Sequence, residues 1–146
     1  MKIIYLDSGR LPTEKAHGYQ IMKMCEAMAE LGHEVKLVVS SRRNPIKSDP
    51  FEFYGVKKNF EIKRLWSLDV VNVVPKWGSR VSRLSFVLSV KFYLASKKYD
   101  VLYLREHLTA GFFRNIVMEV HTLPSRIKIQ DLRIWRCARK IVVITK

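Results

Sequence analysis

Histidines and charged side chains stand at the ends of predicted strands in three parts of the sequence. His17 and Gly18 open a helix after the first strand, Arg105 and Glu106 follow the fourth, and Glu119 and His121 end the fifth. An imidazole at a strand end can exchange a proton with a substrate hydroxyl or phosphate, and an arginine can bind phosphate. We therefore predict His121 as the catalytic residue and the following as substrate-binding residues: His17, Gly18, Arg105, Glu106 and Glu119.

Each of these residues also has a purely structural interpretation. His17 can lie in solvent, His121 can cap a strand end without a ligand, and Gly18 can ease the turn into the helix. Arg105 and Glu106 can satisfy each other. Glu119 lies two residues before position 121, so its carboxylate either orients the imidazole or pairs with a neighbouring cation.

Several motifs of common sites are missing from the sequence. The first predicted strand is followed by Asp7-Ser-Gly-Arg-Leu-Pro12, which lacks the GxGxxG fingerprint of a dinucleotide-binding oxidoreductase. A GxxxxGK[ST] phosphate loop is also missing, and the four His and two Cys show no HxxxH or CxxC spacing. We therefore predict no metal site and no bound cofactor.

The residues with possible chemistry are positioned by alternating predicted strands and helices. Near-continuous apolar strands of this kind indicate a parallel sheet covered on both faces. We predict strands over 2–6, 34–40, 60–65, 100–104, 115–121 and 141–145, and helices over 17–31, 79–97, 108–114 and 127–138, with 41–59 polar and rich in turns. The fold class is thus α/β, a Rossmann-like doubly wound parallel sheet, in one domain over 1–146.

Three of the predicted helices carry apolar residues at helical spacing. In helix 17–31 these are Ile21, Met24, Cys25, Met28 and Leu31, and Gly32 then ends the helix. In helix 127–138, Leu132 and Trp135 are predicted to face inward. Helix 79–97 has a stripe of Val81, Leu84, Leu88, Phe92 and Ala95, widened by Val87, Val90 and Leu94. We predict that this stripe packs against the sheet.

Helix 79–97 also has an alternative interpretation. Its basic residues Arg80, Arg83, Lys91, Lys97 and Lys98 stand beside Trp77, Phe92 and Tyr93. That composition suits a helix lying on an anionic membrane surface.

The chain of 146 residues has a formal net charge of +14, and this charge is unevenly distributed. Residues 1–40 hold five basic and five acidic side chains, so the excess lies in residues 41–146. Such asymmetry indicates a polyanionic partner: a phosphate-bearing substrate, an anionic lipid or a nucleic acid. Two isolated cysteines and the lack of a signal-peptide pattern favour the cytosol, and no apolar window is long enough to cross a bilayer.

Four segments together resemble a known family. They are residues 12–35 (PTEKAHGYQIMKMCEAMAELGHEV), Tyr103-Leu-Arg105, Glu119-Val-His-Thr-Leu-Pro124 and Ala138-Arg-Lys-Ile-Val-Val-Ile-Thr145. This set resembles the N-terminal domain of family 4 retaining glycosyltransferases of the GT-B fold. The resemblance is strongest in the first segment and covers most of the chain, whereas residues 41–98 match in outline only.

The resemblance implies an acceptor-binding domain that faces a separate donor-binding domain across a cleft. Gly18 would then lie near the donor phosphates, His121 would contact the donor sugar, and Arg105 and Glu106 would line the acceptor side. The expected substrates are a nucleotide sugar and a glycan or lipid-linked acceptor. The sequence departs from the family in having His17-Gly18 where many members have Gly-Gly.

The resemblance also predicts that the chain transfers no sugar alone. The donor-binding domain, with its Glu-x7-Glu motif, is absent from these 146 residues. The expectation is a truncated reading frame, an excised domain or one half of a split enzyme, and in the last case a complementary chain is the partner. The expected location is the cytoplasm, including its membrane face. Nucleic acid is not an expected partner, although a basic nucleic-acid-binding module and a non-catalytic scaffold remain the alternative hypotheses.

Overall fold

The computed structural model describes residues 1–71, 76–105, 107–120 and 129–143. These residues form six strands and five helices that alternate along most of the chain. The elements are β1 (Lys2–Asp7), α1 (Ala16–Glu30), β2 (Glu34–Ser40), α2 (Pro50–Tyr54), β3 (Glu61–Leu65), α3 (Gly78–Ala95), β4 (Val101–Leu104), α4 (His107–Ala110), β5 (Ile116–Val120), α5 (Ile129–Cys137) and β6 (Ala138–Val143).

The six strands form one sheet in the order β3-β2-β1-β4-β5-β6. Every pair of neighbouring strands is parallel, with Tyr5 of β1 in register with Leu37 of β2 and Tyr103 of β4. The direction of winding reverses between β1 and β4, which is where ligands bind in open sheets of this type. The predicted Rossmann-like α/β fold is confirmed.

A hydrophobic core covers each face of the sheet, because successive strand residues point to opposite sides. Ile4 and Leu6 of β1 belong to the core beneath α3. Ile3 and Tyr5 belong to the core beneath α1 and α2, which also contains Ile21 of α1. The near-continuous apolar strands are therefore explained by burial on both faces.

Helix α2 lies in the region 41–59, which was predicted to be polar and rich in turns and for which no helix was predicted. The carboxylate of Asp49 accepts hydrogen bonds from the backbone N–H groups of Phe51 and Glu52, at 2.8 and 3.3 Å, and Pro50 occupies the first turn. Gly55 ends the helix in a left-handed conformation. Aspartate, proline and a terminal glycine are start and stop signals of a helix, so the sequence contained the signals that predict α2.

Helix α3 contradicts the predicted packing of its apolar stripe. The stripe residues are all exposed: Val81, Leu84, Leu88, Phe92 and Ala95. The helix packs against the sheet through the opposite side, where Phe86 is 0% exposed. The residues predicted to widen the stripe do face the core, since Val87 and Val90 are buried and Leu94 packs against them, so this part of the prediction is confirmed. The inner side also contains the buried Ser82, whose small side chain permits close approach to the sheet.

Smaller differences concern single apolar residues of α1 and α5 and the start of the last strand. Leu31 follows α1 and is 76% exposed, and Leu132 is also exposed, whereas both were predicted to face the core. Trp135 does pack against the core, as predicted. Strand β6 begins at Ala138, three residues before its predicted start.

Candidate functional site

A cleft of about 830 Å³ lies at the carboxyl ends of β1, β2 and β3. Its walls come from the loop after β1, the start of α1, the segment after β2 and the loop after β3. Parallel strands present their carboxyl ends at one edge, so these four segments meet there although they are distant in the chain.

The lining of the cleft is strongly basic. Among the described lining residues, five are lysines or arginines and one is a carboxylate: Arg10, Lys15, Arg42, Arg43 and Lys47, against Asp69. The Asp69 carboxylate accepts a hydrogen bond of 3.0 Å from the backbone N–H of Arg43, which satisfies part of its capacity. Clustered cations at a concave surface attract anions, and phosphate is the anion that arginine and lysine bind best.

Hydrogen bonds hold the walls of the cleft together. The Asn44 side-chain amide donates to the carbonyl of Pro12 at 2.6 Å, and the Arg42 guanidinium donates to the carbonyl of Ser8 at 3.0 Å. At the base of the same wall, the hydroxyls of Ser40 and Ser67 lie 2.6 Å apart. The segment after β2 is thereby fixed to the loop after β1.

His17 lines the cleft at the start of α1. Partial burial lowers the pKa of its imidazole, and the positive charges of Arg105 and then Lys15 lower that pKa further. The structure therefore brings two predicted site residues, His17 and Arg105, into one electrostatic environment between the ends of β1 and β4. The lowered pKa favours a neutral imidazole, which can accept a proton or a hydrogen bond.

Two arginines near this edge carry buried nitrogen atoms without a hydrogen-bond partner in the described part of the chain. They are Nη1 of Arg105 and Nε of Arg42. Buried donors in folded proteins are normally satisfied, and an oxyanion is a suitable acceptor for a guanidinium.

Gly18 is buried, and its lack of a side chain has a packing reason. A Cβ atom built at this position would overlap the Tyr54 hydroxyl and approach Cγ2 of Thr13 to 2.6 Å. The Tyr54 hydroxyl accepts from the backbone N–H of Thr13 at 2.6 Å and donates to its carbonyl at 2.7 Å. Glycine thus lets α2 hold the loop after β1 close to α1. Contact between Gly18 and phosphate stays a prediction.

Glu119 lies inside β5, within the predicted strand 115–121, and is 1% exposed. Its carboxylate accepts hydrogen bonds from the Tyr103 hydroxyl at 2.9 Å and the Gln20 amide at 3.2 Å, with the Tyr5 hydroxyl at 3.5 Å. Burial, followed by the charge of Glu119, raises the pKa values of Tyr103 and Tyr5. Glu119 therefore joins β5 to β4 and α1 by hydrogen bonds to the side chains of Tyr103 and Gln20. Its predicted pairing with His121 or a cation stays a prediction, because His121 lies outside the described residues.

His121 and Glu106 lie outside the residues that the structure describes. Their predicted roles in catalysis and in acceptor binding stay predictions. Within the described ranges, no group of three His, Cys, Asp or Glu could hold a metal ion. No helix in those ranges is both long enough and apolar enough to span a membrane.

The sequence-based prediction missed most of the cleft. Arg10, Lys15, Arg42, Arg43 and Lys47 were part of the noted charge excess, but their common position was not predicted. Gln20 and Tyr54 were also missed. The available signal was the cluster of basic and turn-forming residues directly after the second strand, because such segments lie at the ligand-binding edge of a parallel sheet.

Comparison with known proteins gives a structural match only. No protein-family model and no curated protein matches the chain. Among solved structures, apo UGT2 of Phytolacca americana is similar with a TM-score of 0.57 and 9% sequence identity. The similarity covers 84% of this chain and 29% of that chain, so the present chain corresponds to less than a third of the UGT2 chain. At this identity the similarity shows the fold alone.

Proposed function

We propose that this chain is the acceptor-binding domain of a glycosyltransferase and that its basic cleft binds the phosphate groups of a substrate. The observation that carries the proposal is the cleft itself, with five cationic side chains at the carboxyl edge of a Rossmann-like sheet. The similarity to UGT2, a UDP-glycosyltransferase, supports a sugar-transfer setting for this fold.

Each of these residues has a separate proposed role. Cations of the cleft neutralise phosphate, and Arg105 offers its buried Nη1 from the end of β4. His17 stands between them as a neutral imidazole that can hydrogen-bond to a substrate hydroxyl or phosphate. Glu119 acts from beneath by fixing Gln20 and therefore α1, so we assign it a positioning role.

The finer form of the proposal follows the resemblance to family 4 enzymes of the GT-B type. A nucleotide sugar is the donor, a glycan or lipid-linked phosphate is the acceptor, and transfer proceeds with retention. His121 contacts the donor sugar, and Glu106 lines the acceptor side with Arg105. A donor-binding domain, in the same or a separate chain, completes the enzyme on the cytoplasmic face of a membrane.

Calorimetric titration with inorganic pyrophosphate tests the cleft. We expect Arg43→Gln/Lys47→Gln to weaken binding about tenfold or more, because each cation contributes a charge-assisted contact. The control is Lys2→Gln/Lys58→Gln, which removes the same charge from side chains outside the cleft lining. Equal losses in both double variants would reduce the effect to overall charge and contradict the cleft assignment.

Further titrations determine which substrate supplies the phosphate and test the alternative function, nucleic-acid binding. A nucleotide sugar and a polyprenyl phosphate distinguish the donor from the acceptor as the cleft ligand. Tight, steeply salt-dependent binding of a nucleic acid duplex would favour the nucleic-acid-binding alternative. Finally, addition of a donor-binding domain in trans tests whether the chain is one half of a split enzyme, and absence of transfer from any nucleotide sugar would contradict that version.

A further inference from the structure

The outer face of α3 is an apolar surface without a partner among the described residues. Val81, Leu84, Leu88 and Phe92 follow one another at spacings of three and four, which puts them on one side of the helix. Leu88 is 55% exposed and Phe92 is 73% exposed. This outer face is separate from the core packing of α3, because Phe86 and Val90 already occupy the sheet side.

The apolar surface continues beyond the helix at its N-terminal end. Trp77 precedes α3 and is 58% exposed, and Leu68 and Trp66 of the loop after β3 are also exposed. The backbone N–H of Leu68 donates to the Ser85 hydroxyl at 2.9 Å, which holds this loop beside the helix. We call Leu68, Trp77, Val81, Leu84, Leu88 and Phe92 together the α3 patch.

The charges of the helical part of the α3 patch have one sign, and the exposed Asp69, next to Leu68, is an acidic residue at its edge. Residues 70–99 contain six lysines and arginines and no aspartate or glutamate. Arg80 and Lys91 are exposed on the helix itself, and the Arg80 guanidinium lies 4.9 Å from the centre of the Trp77 ring. Exposed apolar residues, interfacial tryptophan and flanking cations are the composition of a helix that lies in the plane of a membrane.

We propose that the α3 patch binds the surface of a bilayer containing anionic lipid. The apolar row enters the boundary between headgroups and acyl chains, and Arg80 and Lys91 contact lipid phosphates. Charge complementarity favours this occupant over a second copy of the chain, because two α3 patches facing each other would bring their cations together. The proposal stands on the exposed face of α3 and is independent of the proposed glycosyl transfer.

The α3 patch also lies next to the basic cleft. Val71 lines the cleft, and Gly78, the first residue of α3, lies so close that a Cβ atom there would meet Cα of Val71 at 2.8 Å. A bilayer seated on the α3 patch therefore lies near the wall of the cleft, where a lipid-borne phosphate could enter.

Flotation with vesicles tests the proposal on the full chain. Vesicles of phosphatidylcholine alone are compared with vesicles that also contain phosphatidylglycerol. We expect binding to the anionic vesicles, about tenfold weaker for Leu88→Gln/Phe92→Gln and roughly fivefold weaker per charge for Arg80→Gln/Lys91→Gln. Thermal unfolding of all variants should match the wild type, because the altered side chains are exposed.

Matched controls separate the α3 patch from general adsorption by a chain of charge +14. Leu31→Gln/Tyr19→Gln replaces residues with exposed fractions of 76% and 52%, similar to those of Phe92 and Leu88. Lys2→Gln/Lys58→Gln repeats the charge change away from α3. Equal binding by patch and control variants would overturn the proposal, as would equal binding to neutral and anionic vesicles. So would a patch variant that changes only self-association in sedimentation velocity.

Discussion

Helices α1 and α3 lie on opposite faces of the same sheet, and both carry apolar residues at helical spacing. In α1 the predicted stripe is largely the buried one: Ile21 and Cys25 are in the core, with Met24 and Met28 packed against it. In α3 the central row of the predicted stripe is exposed, and the residues that widen it, Val87, Val90 and Leu94, face the core. Helical spacing therefore identifies the buried face of a helix when the other face is charged, but not when both faces carry apolar residues.

The two helices differ in what stands opposite the apolar stripe. Opposite the stripe of α1 are Lys23 and Glu30, which favour water, so one orientation is clearly preferred. In α3 the side opposite the central row also carries apolar residues, Phe86 and Val90, together with serines, so charge does not select one orientation. The choice in α3 then depends on which side chains fill the space above the sheet.

The largest expected effect tests the inner and outer sides of α3 directly. Phe86→Ala should lower the free energy of unfolding by about 3–5 kcal/mol, because it leaves a cavity in the core. Phe92→Ala should change that free energy by no more than about 0.5 kcal/mol, since the ring is already exposed. Chemical denaturation of both variants measures the difference. Similar losses would show that the outer row is also buried.

The next effect concerns the close packing at the start of α1. Gly18→Ala should destabilise the chain by about 1–3 kcal/mol, because the added methyl group overlaps the Tyr54 hydroxyl. Combining it with Tyr54→Phe removes the overlapping oxygen, so the cost of Gly18→Ala should be smaller in that background. A double-mutant cycle by denaturation measures this coupling. Additive losses would contradict a direct contact.

Effects of equal or smaller size should come from the side-chain hydrogen bonds that hold the two helices. Glu119→Gln replaces one buried acceptor oxygen by an amide, so a donor from Gln20 or Tyr103 loses its partner, at a cost of about 1–3 kcal/mol. Ser85→Ala removes the hydrogen bond that the Ser85 hydroxyl of α3 accepts from the backbone N–H of Leu68. This loss should lower the free energy of unfolding by about 0.5–1.5 kcal/mol. Thermal unfolding compares the two, and a larger loss in Ser85→Ala would reverse the ranking.

The smallest expected effect is a pH dependence of the free energy of unfolding, caused by His17 at the start of α1. The pKa of His17 is lowered in the folded chain, so below the ordinary value of about 6.5 the unfolded chain binds more protons. The contribution of His17 to stability is therefore present above that value and is lost as the pH falls toward the folded pKa. His17→Gln should flatten the stability profile between these two values, measured by denaturation at several pH values.

Pyrophosphate provides a second measurement on the same imidazole. A bound anion favours the charged form, so saturating pyrophosphate should raise the pKa of His17 in an NMR titration. His33 is the reference histidine, because it lies at the opposite end of α1. An unchanged pKa of His17 with bound pyrophosphate would place the anion away from the start of α1.

Much of the fold was predictable, and the cleft was predictable in part. The order of strands and helices follows from apolar runs, and the ligand-binding edge follows from parallel pairing. The sequence also predicted His17 and Arg105 as site residues, and in the structure the charge of Arg105 lowers the pKa of His17. It did not select Arg42 or Arg43, because a loop cation carries no local signal of the surface it will line.

The amino-acid sequence was enough to predict a parallel α/β sheet, a basic chain and the sheet edge where ligands bind in open sheets of this type. These properties follow from period, composition and strand direction, which are local or additive quantities. Tertiary structure decided which side of α3 faces the sheet, that Glu119 is buried beside Tyr103, and that Gly18 makes room for Tyr54. Those outcomes depend on volumes and hydrogen-bond partners from distant segments, which meet only when the chain is folded.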